Sequence, residues 1–366
     1  DTLYSVEDVH GSLGDDEIRG DAQSNLLAGG AGDDALRGMD GDDMLAGGPG
    51  ADRFDGGRGS DTASYAADAT GVEVRLYAGQ GTRGDADGDR LIRVENLAGG
   101  SGGDYLAGNS AANEIAGGAG DDQIRGGSGD DALSGGAGRD ILLGQDGDDV
   151  LDGGPGADRI DGGAGFDHLS YAGESANLVI RLYNGQASGG SAAGDNILNV
   201  EMVTGGAGAD YIAGDIQANR LFGAAGGDQL RGGSGGDRLE GQAGDDRLVG
   251  QAGRDLLDGG VGDDVLDGGA GRDILIGGRG DDWMDGGADN DVFVIAPSDG
   301  HDTILGFDVE NADRLDLAAF GFADFAAVRA TMHATTEGVR LDLDAETSVL
   351  LTGVVAEKVG PADILL

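Results

Sequence analysis

The sequence predicts an all-β protein: a parallel β-roll, or β-solenoid, of short stacked coils with a small C-terminal capping region. Three observations lead there. A nine-residue frame runs through 24 units, which together cover 216 of the 366 residues. Within the frame position six is always Asp or Asn and position eight is always apolar, so each unit offers one side chain to a core. The composition fits no ordinary globule: 78 glycines, 4% aromatic residues and a net charge of −46 leave little apolar surface, yet a disordered tract would not keep such a frame.

Taken in order, residues 1–64 hold a half module and a first array of six units from Gly11: GSLGDDEIR, GDAQSNLLA, GGAGDDALR, GMDGDDMLA, GGPGADRFD and GGRGSDTAS. Residues 65–98 are an insert in which "VEVRLY" alternates Val72, Val74 and Leu76 as a strand does. Residues 99–170 form a second array of eight units, and residues 171–204 a second insert with "LVIRLY", alternating Leu178, Ile180 and Leu182. Residues 205–294 form a third array of ten units. Each Asn at position six (Asn25, Asn113, Asn219) falls in the second unit of its array. The stretches beginning at Asp1, Asp89 and Asp195 align residue for residue, with Glu7, Glu95 and Glu201 coinciding. The inserts therefore read as strand-bearing turns that continue the stack. Residues 295–366 leave the repeat. There Asp324–Met332 predicts a short helix with Asp324 as N-cap, and Val339–Leu343 with Ser348–Leu351 predict a hairpin.

The chemistry of one unit follows from its residue types. Glycine at positions one, two and four permits positive φ and close backbone approach. Positions seven to nine make a strand of about three residues whose middle side chain points inward. Two units make one coil of 18 residues, so stacking brings the position-six aspartates of units i and i+2 to ~5 Å, Asp34 beside Asp52 and Asp43 beside Asp61. Unpaired, such a column repels strongly at low dielectric. A hard cation with oxygen ligands removes the repulsion. Calcium suits carboxylates and turn carbonyls, whereas magnesium demands a tighter octahedron and keeps its water.

The repeat resembles the RTX family, whose G-G-x-G-x-D-x-U-x consensus marks a calcium-binding β-roll. The resemblance implies that the metal ligands are the position-six aspartates. In the first array these are Asp16, Asp34, Asp43, Asp52 and Asp61. In the second they are Asp104, Asp122, Asp131, Asp140, Asp149, Asp158 and Asp167, and in the third Asp210, Asp228, Asp237, Asp246, Asp255, Asp264, Asp273, Asp282 and Asp291. Asp33 and Asp42 at position five are either a further ligand or solvent-facing. Sites between units i and i+2 number 18, or 15 without the Asn units, so 15–18 Ca²⁺ ions would carry +30 to +36 against −46. The metal-free chain should then be extended and the loaded chain compact. Residues 295–366 resemble the region closing RTX proteins such as the serralysin-type proteases. Gly300, Asp302, Ile304, Phe307, Asp313, Leu315, Asp316 and Leu317 fill its pattern, while Gly306 departs from it where an Asp is usual. The final Asp363 with three apolar residues resembles the uncleaved signal of type I secretion.

Other readings are discounted. No basic patch suits nucleic acid, no apolar run approaches the ~20 residues of a membrane helix, and the first residues lack the pattern of a secretory signal peptide. With no cysteine there are no disulfides or thiolate zinc sites. The G-x-S-x-G matches at Gly99–Gly103 and Gly232–Gly236 and the Arg-Gly-Asp triplets at Arg19, Arg83 and Arg279 are by-products of the repeat. The four histidines form no HExxH pattern. Asp85, Asp87 and Asp89 are candidates for one further calcium, and Trp283, at position seven, should face outward. The expected function is that of a secreted bacterial calcium-binding structural protein, not an enzyme. Asp1 lies inside a module, so head-to-tail self-association into a filament or surface layer is expected. The alternative is the secretion and folding tail of a larger RTX enzyme or adhesin.

Overall fold

The computed structural model describes residues 8–309 and 313–366. Asp1 and Glu7, and with them the first of the three aligned stretches up to Asp8, lie outside the described residues. The chain packs as two compact units, Asp1–Ser170 with Ser191–Val200, and Tyr171–Gly190 with Glu201–Leu366.

Every nonapeptide contributes one strand, and successive strands alternate between two sheets. Odd-numbered units of each array build one sheet and even-numbered units the other. In the first unit the odd sheet runs Glu17–Arg19, Ala35–Asp40 and Arg53–Arg58, and the even sheet Leu26–Ala28, Met44–Ala46 and Thr62–Ser64. All these pairings are parallel and the register advances by 18 residues: Leu36 faces Phe54 and Leu27 faces Leu45. In the second unit the same spacing pairs Leu239 with Leu257 and Leu248 with Leu266. The architecture is a parallel β-solenoid of two-strand coils, as predicted.

The core is the column of position-eight side chains on each sheet. From Ile18 to Phe293 none of them exceeds 7% exposure. Each buried Leu or Ile contributes roughly 1.5–3 kcal/mol, and each unit supplies one. That is thin for nine residues whose ordering must be offset. The flanking positions seven and nine face outward, which places Trp283 at 52% exposure in the strand Trp283–Ala288.

The first insert leaves the even sheet after Ser64 and rejoins it in register, Thr62 pairing with Asn96 and Ala63 with Leu97. On the odd sheet it adds Glu73–Arg75 and Gln80–Thr82 as an antiparallel pair, while Arg90–Ile92 lies parallel to Arg53–Arg58 and Glu73–Arg75 parallel to Tyr105–Ala107. Val72, Val74, Leu91 and Leu97 carry the core through it. The predicted strand ends early: Leu76–Ala78 is a 3₁₀ turn closed by Gly79 in the left-handed region. In the second unit Val179–Arg181 pairs antiparallel with Gln186–Ser188 and parallel with Tyr211–Ala213.

The C-terminal block continues both sheets before closing them. His301–Leu305 follows Trp283–Ala288, and Arg314–Asp316 follows Val292–Val294, in parallel register. Ser348–Thr352 pairs parallel with His301–Leu305, and the antiparallel strands Gly338–Asp342 and Met332–Ala334 then end that sheet. The predicted hairpin is present. The predicted helix is shorter, Phe325–Arg329, with the Asp324 carboxylate accepting the Ala327 N–H at 3.0 Å. Met332, its expected end, instead opens a strand. Asp363 and Ile364 are buried, and Ile364–Leu365 pairs with Arg314–Asp316, so the predicted export segment is seated in the fold. No helix among the described residues is long and apolar enough to cross a membrane.

Glycine serves two purposes rather than one. Most glycines at positions two and four hold positive φ, as at Gly30 (115°) and Gly32 (116°), whereas position one, as at Gly29 and Gly38, does not. Its glycine is required by space. A Cβ on Gly38 would lie 2.0 Å from the Asp43 Oδ2 and 2.6 Å from the Gly56 carbonyl oxygen, while one on the exposed Gly14 would meet nothing within 4 Å. Gly38→Ala should therefore lose about 3 kcal/mol or more, and Gly14→Ala should stay within about 0.5 kcal/mol of the parent, as read by thermal unfolding in calcium. Where position two is not glycine, positive φ persists at Met39, Gln145, Ala224, Gln242 and Gln251. Gln242→Gly should accordingly stabilise the protein by about 0.5–1 kcal/mol, the relief of left-handed strain less the added chain entropy.

Candidate metal centres

The position-six aspartates line up along each side of the roll, and a hydrogen bond ties each to the next coil. The N–H of Asp34 donates to the Oδ1 of Asp52 at 2.8 Å, and that of Asp43 to the Oδ1 of Asp61 at 2.9 Å. The same bond links Asp16 to Asp34, Asp104 to Asp122 and on to Asp140 and Asp158, and Asp131 to Asp149 and on to Asp167. In the third array one column runs Asp210, Asp228, Asp246, Asp264, Asp282, and the other runs Asp237, Asp255, Asp273, Asp291. Asn25, Asn113 and Asn219 donate in the same way to Asp43, Asp131 and Asp237. Twenty of the 21 predicted aspartates are at most 3% exposed, and Asp16 is half-buried.

Five carboxylates outside the predicted set extend these columns. Asp89 Oδ1 accepts from Asp52, Glu95 Oε2 from Asp61, Asp195 Oδ1 from Asp158, Asp302 Oδ1 from Asp282 and Asp313 Oδ1 from Asp291, at 2.8–3.2 Å. Their sequence separations of 34–37, 20 and 22 break the 18-residue period. The alignment of Asp89 with Asp195, and the closing pattern that contains Asp302 and Asp313, were the signals available for them.

The second carboxylate oxygen is different. Oδ2 is buried without a hydrogen-bond partner in Asp34, Asp43, Asp52 and Asp61, in Asp122, Asp131, Asp140, Asp149 and Asp158, and in Asp228, Asp237, Asp246, Asp255, Asp264, Asp273, Asp282 and Asp291. That is seventeen buried carboxylate oxygens among the described residues. Leaving one such group unpaired is costly, and leaving them in columns costs more. The opening coil of each array is arranged otherwise. Asp16, Asp104 and Asp210 accept the N–H of Ser12, Gly100 and Gly206 on Oδ2, and the Asn25, Asn113 and Asn219 Oδ1 atoms accept the equivalent N–H. Asp104 and Asp210 also accept on Oδ1 from Val72 and Leu178, so both their oxygens are engaged.

Burial, reinforced by neighbouring carboxylates, raises these groups: Asp52, Asp61, Asp237, Asp255, Asp273 and Asp282 to about 6, and Asp122, Asp131, Asp158, Asp228, Asp264 and Asp291 to about 7. Each orphaned Oδ2 faces the space that the position-one glycine leaves open, and at nine of the sites, as around Gly38, Gly117 and Gly241, the carbonyl oxygen of the next coil's position-one glycine borders the same space. Among the described residues no three His, Asp or Glu side chains converge. The donor set is thus one or two carboxylates plus turn carbonyls, all oxygen, which fits a hard divalent cation of flexible geometry and not a soft one.

The two alternatives left at position five are separated by the geometry. Asp33 and Asp42 are exposed, and their Oδ1 atoms accept the N–H of Ala51 and Ser60 in the following coil, the reverse sense to the position-six ladder. They face solvent and hold adjacent turns together. Asp85, Asp87 and Asp89 do not converge. Asp89 joins the buried column and accepts the Tyr65 hydroxyl at 2.9 Å, the Asp85 N–H donates to Asp68, and Asp87 is exposed. The insert folds Asp89 inward to continue the stack, and this parts it from its neighbours.

The family model "RTX calcium-binding nonapeptide repeat (4 copies)" matches residues 6–36, 29–63, 98–133, 134–169, 200–230, 231–266 and 258–293, more than half of the chain. No curated protein sequence matches it. Among solved structures, the crystal structure of the extracellular lipase LipA from Serratia marcescens is similar at 20% identity and a TM-score of 0.27. The match covers 76% of this chain and 45% of the lipase, so the chain spans less than half of that protein's length.

Proposed function

The chain belongs to the family of RTX calcium-binding nonapeptide repeat proteins, and from that membership we propose that it is a secreted structural β-roll which folds when it meets extracellular calcium. Calcium binding by the repeats comes with the family. The number of ions, the structural role and the place of action are the proposal. One observation carries it: among the described residues seventeen buried Oδ2 atoms stand in columns without partners, nine of them beside a glycine carbonyl of the next coil. About one ion for each of these oxygens is the expected load, and the columns would hold it through Asp34 to Asp61, Asp122 to Asp158 and Asp228 to Asp291. Bound calcium would supply the positive charge those columns need. The chain's own groups fix where it sits, because each Oδ1 is already committed to the preceding coil.

A structural rather than catalytic role is supported by the fate of the hydrolase-like motifs. Ser101 lies exposed in an ordinary repeat turn and Ser234 exposed within the strand Gln229–Gly235, neither on a strand-to-helix elbow. Self-association of loaded copies belongs to the same proposal. An edge strand that is left uncovered templates pairing with another chain. Counting bound calcium by atomic emission after exhaustive dialysis tests the reading. A load near the number of orphaned oxygens supports it, and one or two ions per chain would overturn it. Sedimentation velocity in millimolar calcium and then in chelator tests assembly, and a monomer under both conditions would refute that part.

A further inference from the structure

We propose that the chain carries two equivalent saccharide-binding grooves, one in each unit, each reading the face of a neutral pyranose chain. The first is a cavity of about 400 Å³ on the outer face of the odd sheet, and the second one of about 390 Å³ at the equivalent place. Their linings correspond position by position at an offset of 106 residues: Tyr77 and Tyr183, Tyr105 and Tyr211, Arg125 and Arg231, Ser128 and Ser234, Gln145 and Gln251. The volumes suit a short stretch of sugar rings, near the lower end of the range for small-molecule sites.

The chemistry of the lining is specific. Tyr77 and Tyr183 stand on the 3₁₀ turns of the two inserts and are 64% and 58% exposed, so a flat aromatic face is offered to solvent. Tyr105 lies under the guanidinium groups of Arg75 and Arg125, at 5.2 and 5.4 Å from its ring centre, and Tyr211 under those of Arg181 and Arg231 at 5.5 and 5.7 Å. Ala107 and Ala213, between the flanking arginines in register, keep the floor open. Gln145 and Gln251 hold strained positive φ (87° and 79°) where glycine would cost nothing, and both bring an amide to the groove. The corresponding coil of the first array shows what happens without the tyrosine: Glu17 stands in its place and ties Arg37 in an ion pair at 2.9 Å, and Gly57 replaces the glutamine.

An exposed aromatic plate beside arginine, glutamine and serine donors and acceptors matches a sugar ring, which presents C–H bonds on its face and vicinal hydroxyls on its rim. Even with 15–18 calcium ions bound the chain stays net negative, since +30 to +36 does not cancel −46, and this disfavours a polyanion, so the neutral chain is the expected ligand. Isothermal titration of the calcium-loaded full chain with cellohexaose and chitohexaose, and with an alginate hexauronate as the anionic arm, tests this. Two sites per chain are expected for at least one neutral probe. Tyr77→Ala or Tyr183→Ala should leave one site, and the double variant should weaken binding ~10-fold or more, while Tyr77→Phe with Tyr183→Phe retains it. Both tyrosines are exposed, and an unchanged far-UV spectrum in calcium separates loss of a groove from loss of the fold. Binding by the hexauronate alone, binding indifferent to the double alanine variant, or no binding of either neutral probe at millimolar concentration would each overturn the proposal.

Discussion

Chelating calcium at neutral pH is expected to open the folded protein into an extended chain, with loss of most of its β signal in the far ultraviolet and a large rise in hydrodynamic radius. One apolar side chain per nonapeptide cannot hold columns of buried carboxylates together, and the ions bind the folded chain and not the open one. Acid should act in opposite senses on the two forms. In the metal-free fold burial raises the carboxylates from an ordinary value of 3.8 to about 6 at Asp52 and Asp61, about 7 at Asp122 and Asp228, and about 8 at Asp302. The folded state therefore binds more protons than the open one, and its stability falls as pH climbs from about 4 through 6–8. Without metal, compactness should appear near pH 5 and vanish by pH 8. With calcium the carboxylates are held ionised, so protons compete with the ion and apparent affinity should fall as pH drops. Circular dichroism across pH 5–8, with calcium and with chelator, checks both directions. A chelated chain that stays β-structured at pH 8 would sink this account of the fold.

The second large effect is expected at Asp246. Its Oδ1 accepts the buried Asp228 N–H at 2.7 Å, its own N–H donates to Asp264, and its Oδ2 is orphaned. Asp246→Ala leaves the Asp228 donor unsatisfied, about 1–3 kcal/mol, and removes a ligand in mid-column, so the calcium midpoint should rise several-fold and the bound-ion count should fall. Asp246→Asn keeps an acceptor of the same shape and loses the charge, which should place it between alanine and the parent. In a stack where each coil meets only its neighbours the damage stays local. Hydrogen exchange should quicken around Asp228 and Asp264 and remain slow near Asp122. Uniform exchange over the whole chain would argue against independent coils.

Most of this was legible in the sequence because the period is strict. Position eight marks the core, position six marks the columns, and the pairs Asp34–Asp52 and Asp43–Asp61 follow from two units per coil. What escaped is what breaks the count. Asp89, Glu95 and Asp195 join the columns after detours whose length does not reveal where the side chain lands, and Asp302 and Asp313 do so at 20 and 22 residues. Nor does spacing distinguish a glycine needed for positive φ from one needed for room, as at position one, or show that Asp33 and Asp42 bond forward while their neighbours bond backward. The tyrosine grooves were hidden because Tyr77 and Tyr105 lie 28 residues apart and meet only when the insert folds back onto its array.

The rejoining of the even sheet at Asn96, beside Thr62, has a consequence for heredity. An array that starts on one sheet and must end on the other can hold only an even number of units, and the three hold six, eight and ten. A gain or loss of eighteen codons inside an array returns every residue to its old surroundings, whereas nine would exchange the two faces for all that follows up to the next insert. The gene is thus free to alter the length of the roll one whole coil at a time, and at no finer step.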